Sequence, residues 1–354
     1  DTNKLQSNTN PEPTIKNGKE NFETIIWDGN GVDDRNITTT EGFAPDFVWI
    51  KRRTTSDGSG NHVLFDTVRG ATKRLMSNYA NAEDTQANDL QAFNTDGFQI
   101  GTQTRVNATG QTYVAWCWKA GGTAVSKTAG TIDSSVSANT DAGFSIVSWT
   151  GTQTASQTVE HGLTTAPDLV IYKARDEATN WIVGSSALGA TEYLILDVDN
   201  AAASNSNYIP SRPTNSVLNL GSVSSVNNDE RMIAYCWHSV EGFSKFGGYT
   251  GDNGTPFFFT GFRPAFIIIK CINAGNWIMF DTTRDTVNLT DDVLYPNLNN
   301  AEDTNLGSGI DILSNGFCIS AGWGAINQAG VDYMYMAFAE APSMNLYGAA
   351  APAR

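Results

Sequence analysis

The chain of 354 residues has little of what most active sites are made of. It carries three histidines, His62, His161 and His238, and four cysteines, Cys117, Cys236, Cys271 and Cys318, with no C-x-x-C spacing. A zinc site needs several such ligands to converge, so these scattered residues argue against one. No nucleophile elbow, P-loop or dinucleotide fingerprint stands in a strand-to-helix context, and nothing in the sequence supports an enzyme. Charge is sparse and one-sided: 17% of residues are charged, 22 Lys and Arg stand against 37 Asp and Glu, and the net charge is -15. Such a surface repels a phosphate backbone and excludes nucleic acid as a partner. The low charge density also excludes a highly charged helical bundle. No apolar run approaches the roughly 20 residues that cross a bilayer. The opening DTNKLQSNTNPEPTIKNGKE lacks the apolar core of a signal peptide. The chain therefore reads as soluble, without membrane insertion and not Sec-exported. Residue 1 is Asp where a start would be Met, which points to processing or to a preceding N-terminal part.

What is present is repetition. GFAPDFVWIK, Gly42 to Lys51, returns as TAPDLVIYKA from Thr165 and as GFRPAFIIIK from Gly261. Pro45, Pro167 and Pro264 each precede an apolar run. Asn61, Asn180 and Asn276 follow, each before a second run: His62 to Phe65, Trp181 to Val183 and Trp277 to Phe280. LMSNYANAEDT from Leu75 matches LYPNLNNAEDT from Leu294, with LILDVDNAAAS from Leu194 as the degenerate middle copy. TYVAWCWKA, RMIAYCWHS and DYMYMAFAE, from Thr112, Arg231 and Asp332, close the three copies. The copies lie roughly 120 and then roughly 100 residues apart, a domain size, so two or three domains are favoured over one large one.

The apolar runs last about five to eight residues, are rich in Val, Ile, Phe, Trp and Tyr, and are bounded by Gly, Asn, Asp or Thr, which predicts strands. In the first closing run Tyr113, Ala115 and Cys117 face one way and Val114, Trp116 and Trp118 the other, so both faces are apolar and the strand is central. Strands without helical crossovers form antiparallel sheets. The expectation is an all-β protein of three tandem antiparallel β-sandwich domains of jelly-roll or lectin-like type, related by internal repeat. The boundaries expected are a linker or arm over 1–19, repeats over 20–122, 141–240 and 241–343, a Gly/Ser/Thr/Ala-rich linker over 123–140, and an extended tail over 344–354. Cys117 and Cys236 occupy equivalent places in separate copies, so free buried thiols are expected in preference to disulfides.

A residue repeated in every copy serves the fold, and a singular one is a candidate for function. Asp66 and Arg69 in FDTVRG recur as Asp281 and Arg284 in FDTTRD, while the middle copy has Gly184-Ser185-Ser186, so the pairs read as structural. The loop DGNGVDD clusters Asp28, Asn30, Asp33 and Asp34 as calcium loops do, but lacks the ligand order of an EF-hand. An Asp-Gly turn is the competing reading, and no other cofactor is implied. Trp323, in AGWGAINQAG, has no aromatic counterpart near Thr104, and a loop indole offers an apolar plate to a sugar ring or a partner protein, with packing under its own loop as the competing and favoured reading. The run PFFFTGF, Pro256 to Phe262, projects aromatics from both faces of a strand. Most of it is expected in a core, with Phe257 as its candidate for binding.

GFSKFGGYTG, GFRPAFIIIK, LSNGFCIS, YMYMAFAEAP, VAWCWKAGG and the opening GFSIVSWTG together resemble an uncharacterised repeat family found in virion proteins of marine tailed bacteriophages, often near the C-terminal end of tail-fibre-like chains. The similarity runs from about residue 20 onward, and the family brings no established catalytic or binding residues. In related chains a lectin-like or SPRY-like sandwich often precedes these repeats. The resemblance implies a virion structural protein of a tail fibre, tail tip or head appendage, at the virion surface, that binds a host-surface glycan or protein. An architectural capsid decoration or connector, whose partners are other virion proteins, is the alternative. A polysaccharide depolymerase would differ from both by one carboxylate-lined groove. Fibre proteins are commonly trimeric, so a homo-oligomer, a trimer in particular, is expected.

Overall fold

In the computed structural model, which describes residues 13–54, 60–304 and 306–340, the recurring apolar runs are strands. The described residues are about 42% strand and 3% helix. Each closing run is hydrogen-bonded on both sides, because each is apolar on both faces and belongs inside a sheet. Thr112–Trp118 lies between Phe22–Asp28 and Phe47–Arg52, with Val63–Asp66 beyond. Arg231–Trp237 lies between Phe144–Thr150 and Leu169–Ala174, with Ile182–Ser185 beyond, and Asp332–Phe338 between Ser244–Thr250 and Phe266–Cys271, with Trp277–Asp281 beyond. All these pairings are antiparallel.

Each large sheet is covered on one face by a smaller one. In the first unit Arg35–Thr38, Gly97–Ile100 and Leu90–Asn94 form that smaller sheet. Tyr113, Ala115 and Cys117 share a buried cluster with Phe98 and Ile100 of the smaller sheet. The opposite face, with Val114, Trp116 and Trp118, enters a cluster that also holds Ile233, Tyr235 and Trp237 of the second unit and Met334, Met336 and Phe338 of the third. The alternation read from the sequence therefore holds, but its second face packs against the other two units. Phe47 stacks on Tyr235 at 4.4 Å, and Phe22 on Phe338 at 5.0 Å.

The units meet in a cycle. Lys51 Nζ donates to the Asn300 carbonyl (2.7 Å), Lys173 Nζ to that of Ala80 (3.2 Å) and Lys270 Nζ to that of Asn200 (3.1 Å). First touches third, second touches first, and third touches second. Backbone bonds repeat the order: Glu302 N–H to Arg53 C=O at 2.8 Å, Glu83 to Arg175 at 2.7 Å and Ala202 to Ile272 at 2.7 Å.

Two segments expected as linkers are structured. Within 123–140, Val125–Lys127 and Ser134–Asn139 extend the second large sheet, the latter paired along Phe144–Thr150. Composition marks the stretch as loop, but Val136 buries its side chain opposite Val147, and Gly121 lets the backbone of Ala138 approach where a Cβ would stand 2.4 Å from its carbonyl oxygen. Of the arm 1–19, Ile15 is buried and Gly18–Glu20 forms a 3-10 turn whose Lys19 N–H donates to Glu340 C=O at 3.1 Å. Residues 13–19 thus tie the first unit to the end of the third. Residues 1–12 and the tail 344–354 lie outside the described residues.

Candidate functional site

The repeated acid and base pairs build interfaces. Asp66 accepts from Arg69 Nε and from the Arg69 backbone N–H (2.8 Å), with both side chains fully buried. Its Oδ2 also accepts from the hydroxyl of Tyr235, in the second unit, at 2.7 Å. Asp281 is held the same way by Arg284 and accepts from Trp116 Nε1, in the first unit, at 3.1 Å. Each arginine reaches on to a glutamate. Arg69 meets Glu83, which Arg175 of the second unit grips through Nε and Nη2, both at 2.9 Å, and Arg284 meets Glu302, which Arg53 of the first unit grips at 2.9 and 2.7 Å. Burial works against the Arg69 charge, but Asp66, Tyr235 and Glu83 outweigh it and push its pKa up. Burial likewise opposes ionisation of Glu302, but Arg284 and Arg53 prevail and lower its pKa. Each of these four guanidinium groups is already held by a carboxylate of the protein.

The acidic loop does not close around a point. Asp28 ends a strand with its carbonyl bound by Arg35, Asn30 accepts the Val32 N–H at 2.9 Å, and Asp33 accepts from Gln91 at 2.9 Å. Asp34 is exposed, at a left-handed φ of 56°. Among the described residues the acids that do converge are Asp285, Asp291 and Asp292. There Asp285 accepts the N–H groups of Val287, Asp291 and Asp292, which explains the convergence by loop folding. The cysteines are free, Cys117, Cys236 and Cys271 buried and Cys318 half-buried.

Trp323 is no exposed plate. It precedes the short helix Gly324–Asn327, is half-buried, and sets its ring edge-on to Phe280 at 5.8 Å. The helical turn folds the ring back onto the third unit's own cluster, so of the two readings it is the packed one that the ring adopts.

The aromatic run is also only partly in a core. Phe257–Phe259 pairs with Gly316–Ile319, which pairs with Ile310–Leu313, forming the smaller sheet of the third unit. Alternation sends Phe258 inward, onto Tyr249 at 4.2 Å and Phe317 at 5.3 Å. It sends Phe257 and Phe259 outward, 45% and 62% exposed, with Leu313 37% exposed in the row of Phe259. Gly316 leaves the space that the Phe257 ring occupies, since a Cβ there would meet Phe257 Cε2 at 2.8 Å. Sheet register places Asn36 and Thr38 of the first unit, and Thr158 and Glu160 of the second, where the third has Phe257 and Phe259. Two of three units thus present a polar face and one presents phenyl rings to water. Phe259 is the residue that sequence reasoning passed over, and its period-two partnership with Phe257 is the signal that finds it.

No curated protein and no solved structure matches the chain. A family model described as a domain of unknown function, DUF7483, matches residues 17–342 and so takes in all three units and the turn that precedes them. The chain belongs to the DUF7483 family.

Proposed function

We propose that the protein is a bacteriophage virion structural protein, from a tail fibre, tail tip or head appendage, and that it binds the host surface through the outer aromatic face of its third unit. The observation that carries the binding face is the exposure of Phe257 and Phe259 where the sister units are polar. A contiguous apolar patch that a soluble fold keeps in water marks a contact surface. The resemblance to virion repeat families supplies the setting, and the low charge density and nearly all-β build suit an extracellular particle component. In this reading each unit is a sandwich of the jelly-roll or lectin-like kind, three related by internal repeat. Its partners are other virion proteins and a host-surface glycan or protein, and the chain assembles as a homo-oligomer, a trimer in a fibre.

The test replaces the two rings by the first unit's residues, Phe257→Asn together with Phe259→Thr, and compares binding to an array of bacterial surface glycans and to whole cells. Loss of binding with unchanged melting supports the reading. Equal binding by both proteins refutes the face, and binding by neither favours the purely architectural role of a decoration or connector. Release of reducing ends from the polysaccharide indicates a depolymerase instead. A stable monomer in solution at micromolar concentration removes the oligomer.

A further inference from the structure

The second unit departs from its sisters at a position where both of them bury a phenylalanine. Sheet register aligns Gly184 with Phe65 and Phe280: Val170 faces Gly184 as Val48 faces Phe65 and Ile267 faces Phe280. Phe65 and Phe280 are 0% exposed and fill the space between large and small sheet. Gly184 fills nothing and is half-buried, and above it lies a cavity of about 130 Å³. Val170, Tyr172 and Ile209 form its apolar floor. An apolar cavity of about 150 Å³ is known to stay dry and to accept benzene.

We propose that the second unit carries a binding pocket for a single uncharged phenyl ring borne by a small ligand, in the place where the other two units bury a phenylalanine of their own. The sister units show the shape that fits the sheet here. The mouth is polar. Asp168 and Glu192 stand there with Ser185 and Ser186, and the exposed Arg212 spans the edge, donating to the carbonyls of Ser185 and Leu188. Asp168 already accepts from the Ser239 N–H and hydroxyl, both at 2.8 Å, and Glu192 from the Gly189 N–H at 2.7 Å. Each carboxylate keeps lone pairs that a ligand hydroxyl can use. Two acids against one arginine, itself turned to carbonyls, disfavour an anionic ligand. The inference goes beyond the surface-binding reading and does not rest on it, because the pocket lies in a different unit from the aromatic face.

The test titrates benzyl alcohol into the full chain and follows backbone amide resonances. Saturable shifts confined to residues 166–172, 184–192 and 209–213 are expected, with benzoate and methyl glucoside at least tenfold weaker. Gly184→Phe refills the site and abolishes the shifts. A Cβ at 184 stands 2.7 Å from Ile209 Cδ1, the far end of a flexible side chain, so Ile209→Ala serves as a second variant: it deepens the floor and moves the preference from benzyl alcohol toward indole. Absence of saturation with benzyl alcohol overturns the proposal, as does equal binding of methyl glucoside, identical binding by Gly184→Phe, or an unchanged ring preference in Ile209→Ala.

Discussion

Replacing Tyr235 by Phe removes one oxygen atom from the boundary between the first and second units. That hydroxyl is buried and donates at 2.7 Å to Asp66, a carboxylate already committed to Arg69. A hydrogen bond to a charged partner contributes about 1.5–3 kcal/mol. The ring itself stays, so its stacking on Phe47 is preserved. With an unfolding entropy of about 2.1 cal/mol/K per residue over some 330 residues, roughly 0.7 kcal/mol/K, the loss lowers the melting temperature by about 2–4 °C. The side chains of all three units share one buried cluster, so the shift applies to the whole chain. Differential scanning calorimetry checks both statements: one endotherm for the wild type, displaced intact in the variant. Three units strung as independent beads would give separable transitions, with only the part owed to the first two units displaced. That result, or an unmoved curve, would refute the shared core as the source of stability.

Three further outcomes follow from the same contacts. Burial lowers the Lys51 pKa to about 7 and those of Lys173 and Lys270 to about 8, from 10.5. Between these values and 10.5 the unfolded chain holds protons that the folded chain does not, so stability rises with pH across that window and is flat below it. Lys51→Met removes the part of the slope that begins near pH 7, read from denaturant midpoints. Burial raises Glu340 from 4.5 to about 7 while Thr24 N–H donates to it at 2.7 Å. Stability from this group is complete below pH 4.5 and declines toward 7, and Glu340→Gln abolishes that decline. On the aromatic strand, Phe258→Ala costs about 1–3 kcal/mol, less than a fully buried phenylalanine because Phe258 is half-buried. Phe257→Asn or Phe259→Thr costs under about 0.5 kcal/mol, as surface changes do, so equal costs at the three positions would contradict the alternation.

Much of this architecture was legible in the residues. Triplication, strands in place of helices, unpaired thiols and the two-faced pattern of 113–118 all follow from spacing and period two. The shared core was not, although its signal was present. A sheet apolar on both faces needs a cover on each side, and one copy supplies only a single smaller sheet, so Trp116 and Trp118 had to find their cover in other copies. The Ser- and Gly-rich stretch 123–140 misled because small residues permit a strand as readily as a loop, and only pairing with Phe144–Thr150 decides between them. For Trp323 the residues leave an exposed plate and a ring packed under its own loop both open, and only the helical turn that aims it at Phe280 decides between them. The Gly184 cavity needs register, since only the pairing of Gly184 with Val170 identifies which phenylalanine it replaces.

The degenerate middle copy carries the most informative difference. Register aligns Ser185 with Asp66 and Asp281, and Met336 with Trp116 and Tyr235. Two boundaries pair an acid with a donor, and at the third both are gone together: Ser185 in the second unit and Met336 in the third. The outer contact behaves alike. Arg175 with Glu83 and Arg53 with Glu302 are ion pairs, whereas Ile272 meets Ala202 through the same backbone bond, with both packed on the common cluster. Removing one partner of a buried pair leaves a charge or donor unsatisfied, which costs several kcal/mol, while replacing both by apolar groups is nearly neutral. Losses that come in complementary pairs across the cycle are therefore what a closed ring of three units permits. Ala202→Glu alone should destabilise, and adding Ile272→Arg should recover a coupling of about 0.5–3 kcal/mol. Simple additivity of the two changes would mean that the boundary between the second and third units does not share the geometry of the other two.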